Sequence, residues 1–64
     1  MNPELLNDAR IIKPYKSQTV YVKMENDFQP AQIGLNDKSD FVWILQPDNN
    51  EIPMRQFPLW KEYL

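Results

Sequence analysis

Nucleophilic and metal chemistry have little to work with in this chain, which has no cysteine and no histidine. That excludes disulfides, thiolate or imidazole zinc sites, and Cys–His or Ser–His nucleophile pairs. Carboxylates are the remaining reactive class. Glu4, Asp8, Asp27, Asp37, Asp40, Asp48, Glu51 and Glu62 fall mainly in expected turns and terminal segments. A general acid or base needs a carboxyl in a dry pocket with a shifted pKa. A chain of 64 residues encloses little such volume. The run Asp48-Asn49-Asn50-Glu51 lacks the glycine and ligand spacing of an EF-hand loop. Gly34, the sole glycine, sits inside a strand pattern and not in a phosphate-cradling loop. The acids therefore read as turn formers and solvated surface. No catalytic residue, metal or cofactor is expected, and the chain reads as non-enzymatic.

Binding chemistry is better supplied, with two Trp, three Tyr and three Phe. In Thr19 to Met24 the residues alternate, so that Val20, Val22 and Met24 share one face and Tyr21 takes the other. By the same rule Phe41 and Trp43 project together, opposite Val42 and Ile44. If Val42 and Ile44 fill the interior, Phe41, Trp43 and Tyr21 form an exposed aromatic patch suited to a partner protein. In the opposite registry Trp43 belongs to the core. With Phe28 from the following turn, the candidate partner-binding residues are Tyr21, Phe28, Phe41 and Trp43. Lys13, Lys16, Lys23, Lys38, Arg55 and Lys61 interleave with Tyr15, Tyr21 and Phe28, a composition that also suits stacking and phosphate contacts to single-stranded RNA or DNA.

The elements that must position these rings are mainly strands. Four β segments are expected: Thr19 to Met24, Phe28 to Leu35, Phe41 to Gln46 and Glu51 to Phe57. Turn residues separate them at Glu25-Asn26-Asp27, Asn36-Asp37-Lys38-Ser39 and Pro47-Asp48-Asn49-Asn50. Pro30 inside the second segment implies an edge, a bulge or a strand start, because proline cannot donate to a ladder. Phe41 to Gln46 is apolar on both faces, as a central strand covered twice would be. The expected core is Val20, Val22, Ile33, Val42 or its neighbour Phe41, Ile44, Ile52 and Met54. Outside the meander of residues 19–57, two helical segments are expected as covers for the sheet. Residues 1–12 carry Leu5, Leu6, Ala9 and Ile12 near helical spacing, with Asn2 as N-cap and Pro3 at N1. Residues 58–64 open on Pro58 and present Leu59, Trp60, Tyr63 and Leu64 as an apolar stripe.

This order of elements resembles the small SH3-like barrels, and Tudor domains among them. One stretch carrying the likeness is Asp27-Phe28-Gln29-Pro30-Ala31-Gln32-Ile33, a loop aromatic followed by a small and a β-branched residue. The other is Asp48 to Leu59, similar to the family's acidic turn, fourth strand and short 3₁₀ stretch. The resemblance implies a four- to five-stranded antiparallel SH3-like barrel over one domain, residues 1–64. Tudor domains that bind methylated Lys or Arg use an aromatic cage. Phe28 falls at one cage position, but Asp48-Asn49-Asn50 supplies no second ring.

Charge narrows the partner classes. Seven basic and nine acidic residues give a formal charge of −2, with the signs interspersed. That is neither the basic stripe of a duplex binder nor the acidic face of a nucleic-acid mimic. The longest apolar run, Phe41 to Leu45, is too short to span a bilayer, and no targeting segment stands out. Cysteine-free composition suits a reducing compartment, so a cytoplasmic location is expected. The functional expectation is a small protein-binding or regulatory module acting through an aromatic surface. A barrel that binds single-stranded nucleic acid is the alternative, and self-association is compatible with either.

Overall fold

A computed structural model describes residues 5–63. Its strands are β1 (Asn7–Asp8), β2 (Val20–Lys23), β3 (Phe28–Leu35), β4 (Phe41–Leu45), β5 (Asn50–Pro53) and β6 (Leu59–Glu62), with a 3₁₀ turn at Met54–Gln56. All six join one antiparallel sheet in the order β1-β6-β2-β3-β4-β5. β1 and β5 are its unpaired edges, so the closed four- to five-stranded barrel expected from sequence is replaced by an open sheet of six strands. The chain is mainly β with almost no helix among the described residues.

Neither terminal helix forms among those residues. Asn7 and Asp8 pair with Trp60 and Leu59. The chain then turns, with the N–H groups of Ile11 and Ile12 both donating to the Asp8 carbonyl at 2.8 Å. A helix of two or three turns has no stability of its own, and Leu5 and Ile11 find no cover, at 89% and 81% exposed. The expected cap at Asn2 and Pro3 lies outside the described residues. At the other end, residues expected as a helical turn form β6, which runs between β1 and β2. Trp60 pairs with Val22 and is buried, while Lys61 pairs with Tyr21 on the other face. Leu64 lies outside the described residues.

The core lies on one face of the sheet. Val20, Val22, Ala31, Trp43 and Trp60 pack there with Ala9 and Met54, and Ile33, Leu45, Ile52 and Phe57 close its margins. Both indoles are satisfied as they are buried. Trp43 Nε1 donates to the Phe57 carbonyl at 2.7 Å, and Trp60 Nε1 to the Ile12 carbonyl at 2.9 Å. The second of these ties the N-terminal turn to the last strand. Ile44, expected in this core, is half-buried on the opposite face, beside Val42, which is buried as expected. The two lie over Gly34, where a Cβ would come within 2.5 Å of Ile44 Cδ1. Glycine at 34 thus leaves room for Ile44 to cross the strand.

Proline in an inner strand requires a substitute donor, and β3 contains one. The Gln46 N–H donates to the Pro30 carbonyl at 2.8 Å. In an antiparallel pair the return bond would run from residue 30 to the Gln46 carbonyl, and proline has no N–H to make it. Gln29 Nε2 takes that place, donating to the Gln46 carbonyl at 2.9 Å. The same alternation carries outward to β5. Ile44 bonds toward β3, so Trp43 and Leu45 bond toward Ile52 and Asn50, and the backbone of Glu51 and Pro53 points away from the sheet. Pro53 therefore leaves this open edge with few donors, a common way to discourage strand addition.

Candidate docking surface

The face opposite the core carries an aromatic and cationic group built from three neighbouring strands. Register puts Tyr21 of β2 beside Lys61 of β6, and Lys23 of β2 beside Phe28 of β3. Period-two alternation places Tyr21 with Lys23, and Tyr63 with Lys61, on that same side. The rings touch. Tyr21 meets Phe28 edge-on with centroids 6.3 Å apart, and stacks on Tyr63 at 4.7 Å with planes 15° apart. Offset and edge contacts of this kind each contribute about 0.5–1.5 kcal/mol beyond burial.

Ammonium groups cover the rings. Lys61 Nζ lies 4.0 Å from the Phe28 centroid and 5.8 Å from that of Tyr21. Lys23 Nζ is 5.8 Å from the Phe28 centroid and donates to the Met24 carbonyl at 3.1 Å. The β2–β3 turn itself is closed by the Met24 N–H, which donates to the Asp27 carbonyl at 2.8 Å, and its Glu25 and Asp27 are exposed just before Phe28 in the chain. The surface is therefore apolar at its centre and cationic above the rings. Phe28 and Tyr21 are half-buried and Tyr63 is 48% exposed. Beyond Tyr63 the same face dips into a shallow depression bordered by Thr19, Pro30, Gln46 and Pro47.

The four residues singled out from sequence do not act together. Tyr21 and Phe28 are brought into contact on this face. Trp43 is fully buried and leaves the proposed patch. Its parity with Phe41 is as expected, but their shared side is the core side, because Ile33 and Ile52 flank Trp43 there. Phe41 stands at the hairpin end of that side, 45% exposed, paired with Leu35 and covered by Lys13 Nζ at 4.8 Å. Tyr63 is the ring that sequence reasoning missed. Reading residues 58–64 as a helix put it in an apolar stripe with Trp60, whereas the strand separates the two onto opposite faces. Lysine spacing is also resolved: Lys23 and Lys61 gather at the rings, and Lys13 belongs to Phe41.

One surface ion pair stands out among the described residues. Arg10 grips Asp8 through Nε and Nη2, with the closest contact at 2.6 Å. The Arg10 guanidinium and its backbone N–H hold the Asp8 carboxyl at about 2, below its ordinary 3.8. Among the described residues no three His, Cys, Asp or Glu side chains converge as metal ligands. None of the described helices is long and apolar enough to cross a membrane. No protein-family model matches the chain, and neither the curated proteins nor the solved structures return a match.

Proposed function

We propose that this chain is a small, non-enzymatic protein-binding module that docks a partner against Tyr21, Phe28 and Tyr63. The observation that carries this is the contact of these rings on the face away from the core, with Lys61 4.0 Å over Phe28. Rings already held in place lose little entropy on binding, and aromatic residues dominate the energy of protein interfaces. Lys61 Nζ over the Phe28 ring adds a cation–π contact that helps to hold that ring in place for a partner's apolar side chain. Kinship with the SH3-like domains is part of this reading. It is supported by the meander β2–β5 and by the 3₁₀ turn at Met54–Gln56 before the last strand. A cytoplasmic site of action suits a chain without cysteine.

Binding to single-stranded nucleic acid is the second reading, favoured by the pairing of rings with Lys23 and Lys61. Two features weigh against it. Lys23 is engaged by its own turn, and that turn carries two exposed acids, Glu25 and Asp27, just before Phe28 in the chain. The test is a pull-down on immobilised chain, with and without nuclease, comparing wild type with Tyr63→Ala and Phe28→Ala. A protein retained by wild type despite nuclease, and released at least ~30-fold more readily by the variants, supports the first reading. Capture that disappears with nuclease, together with saturable binding of an oligodeoxythymidylate, replaces it with the second.

A further inference from the structure

The open seam of the sheet forms a cleft of about 460 Å³ between β5 and the turn that follows β1. Arg10 and Lys13 stand on the turn side, Asp40 and Glu51 on the sheet side, and Arg55 at the 3₁₀ turn. We infer that this cleft is a contact surface for a second copy of the chain, arranged about a two-fold axis.

Charge is the first argument. In a two-fold contact a surface meets itself, so a patch of one sign repels while a patch of mixed sign can pair across the axis. The rim here is mixed, and the ion pair found among the described residues, Arg10 with Asp8, leaves Asp40, Glu51 and Arg55 without salt bridges. Each copy can therefore offer carboxylates to the other's cations.

Exposed apolar surface gathers at the same place. Phe41 lines the cleft at 45% exposed, and its cross-strand neighbour Leu35 is 58% exposed. Ile11 and Ile12, in the turn that forms one lip, are 81% and 56% exposed. Large side chains left wet around one cleft mark an interaction surface. A chain of 64 residues without cysteine also lacks the disulfides that stabilise many small domains, and oligomerisation serves the same end. Pro53 has no N–H on the β5 edge, so side chains carry the contact and the ladder does not continue into a fibre.

Sedimentation and light scattering of the intact chain test this. Wild type should move from 7.7 kDa toward twice that mass as concentration rises, and salt should weaken the association. Asp40→Lys with Glu51→Lys makes an all-cationic rim, and Lys13→Glu with Arg55→Glu leaves Arg10, held by Asp8, as the one cation on an otherwise anionic rim. Each doubly substituted chain alone should remain monomeric, while a one-to-one mixture should associate again. Tyr63→Ala, on the opposite face, should dimerise as wild type does, which keeps this inference separate from the proposed docking surface. A wild type that is monomeric up to about millimolar concentration overturns the inference. So do doubly substituted chains that dimerise like wild type, and a mixture that does not associate. Should a variant fail to fold, amide shifts of wild type on dilution decide: changes at residues 9–13, 40–41 and 51–55 support the contact, and changes confined elsewhere refute it.

Discussion

Trp43→Ala should come close to unfolding the protein. The side chain is fully buried at the centre of the sheet, between Ile33 of β3 and Ile52 of β5. Removing a buried Trp costs about 3–5 kcal/mol in lost transfer energy and residual cavity. The same change deprives the Phe57 carbonyl of the donor that meets it at 2.7 Å. A chain of 64 residues has roughly 3–10 kcal/mol of total stability, so this single loss consumes a third of it or more. Each kcal/mol moves the midpoint of so small a domain by about 4–8 °C, which puts the expected drop at ~12 °C or more. Trp43→Phe keeps a six-membered ring in the core but loses both the hydrogen bond and the volume of the pyrrole ring, so it should cost less than alanine and more than the roughly 1 kcal/mol of the hydrogen bond alone. Thermal and urea melts followed by far-UV circular dichroism, at one fixed protein concentration, read both variants. An alanine variant melting within ~5 °C of wild type would refute the placement of this ring at the centre of the core.

Other perturbations address the proline in β3, the glycine in the same strand and the surface ion pair. Gln29→Ala should cost about 1–2 kcal/mol by leaving the Gln46 carbonyl without its donor. In a Pro30→Ala background, where a backbone N–H can make the return bond, it should cost less; an unchanged cost in the double-mutant cycle would separate Gln29 from the ladder. Gly34→Ala should change the urea midpoint little, since the Ile44 δ-methyl can swing away and alanine suits a strand better than glycine. Both variants bring a Cβ within 3.1 Å of Ile44 Cγ1, but Gly34→Val adds two γ-methyls beside Ile44 and Val42 and should lose about 1–3 kcal/mol; equal midpoints for the two variants would show the site to be open. Asp8 sits at about 2 in the fold against an ordinary 3.8, so its pairing with Arg10 stabilises above that ordinary value and is lost as pH falls between the two. Asp8→Asn should flatten this acid limb and lower stability at pH 7 by the same amount, a small one because the pair is solvent-exposed; an identical acid limb in both proteins would assign the slope to other groups.

Parity along strands was readable from the residues alone. Val20 and Val22 face the core and Tyr21 faces away, as alternation requires. Phe41 and Trp43 do share a side. Which side that would be was not readable, because β4 is apolar on both faces and period two cannot rank Val42 and Ile44 against Phe41 and Trp43. In the fold Trp43 joins Val20, Val22, Ala31 and Trp60 in one buried cluster, so the side of the larger ring is the core side. The other face then needs only modest cover, which Ile44 gives by lying over Gly34.

The ends of the chain were misread for a different reason. Leu59, Trp60, Tyr63 and Leu64 fit a helical stripe, and the same residues also fit a strand with Trp60 on one side and Tyr63 on the other. What separates the two is the backbone of β2. A meander that begins at β2 leaves one whole side of that strand without partners, although Val20 and Val22 are fully buried. Buried N–H and C=O groups must be paired, and a helical turn lying on the sheet cannot reach them. A strand can, and β6 pairs with Val20 to Val22 while its other side takes up Asn7 and Asp8. The demand for backbone partners at β2 therefore draws the C-terminal residues into the sheet. In doing so it carries Lys61 and Tyr63 to the face that holds Tyr21 and Phe28, and so completes the surface proposed to bind a partner.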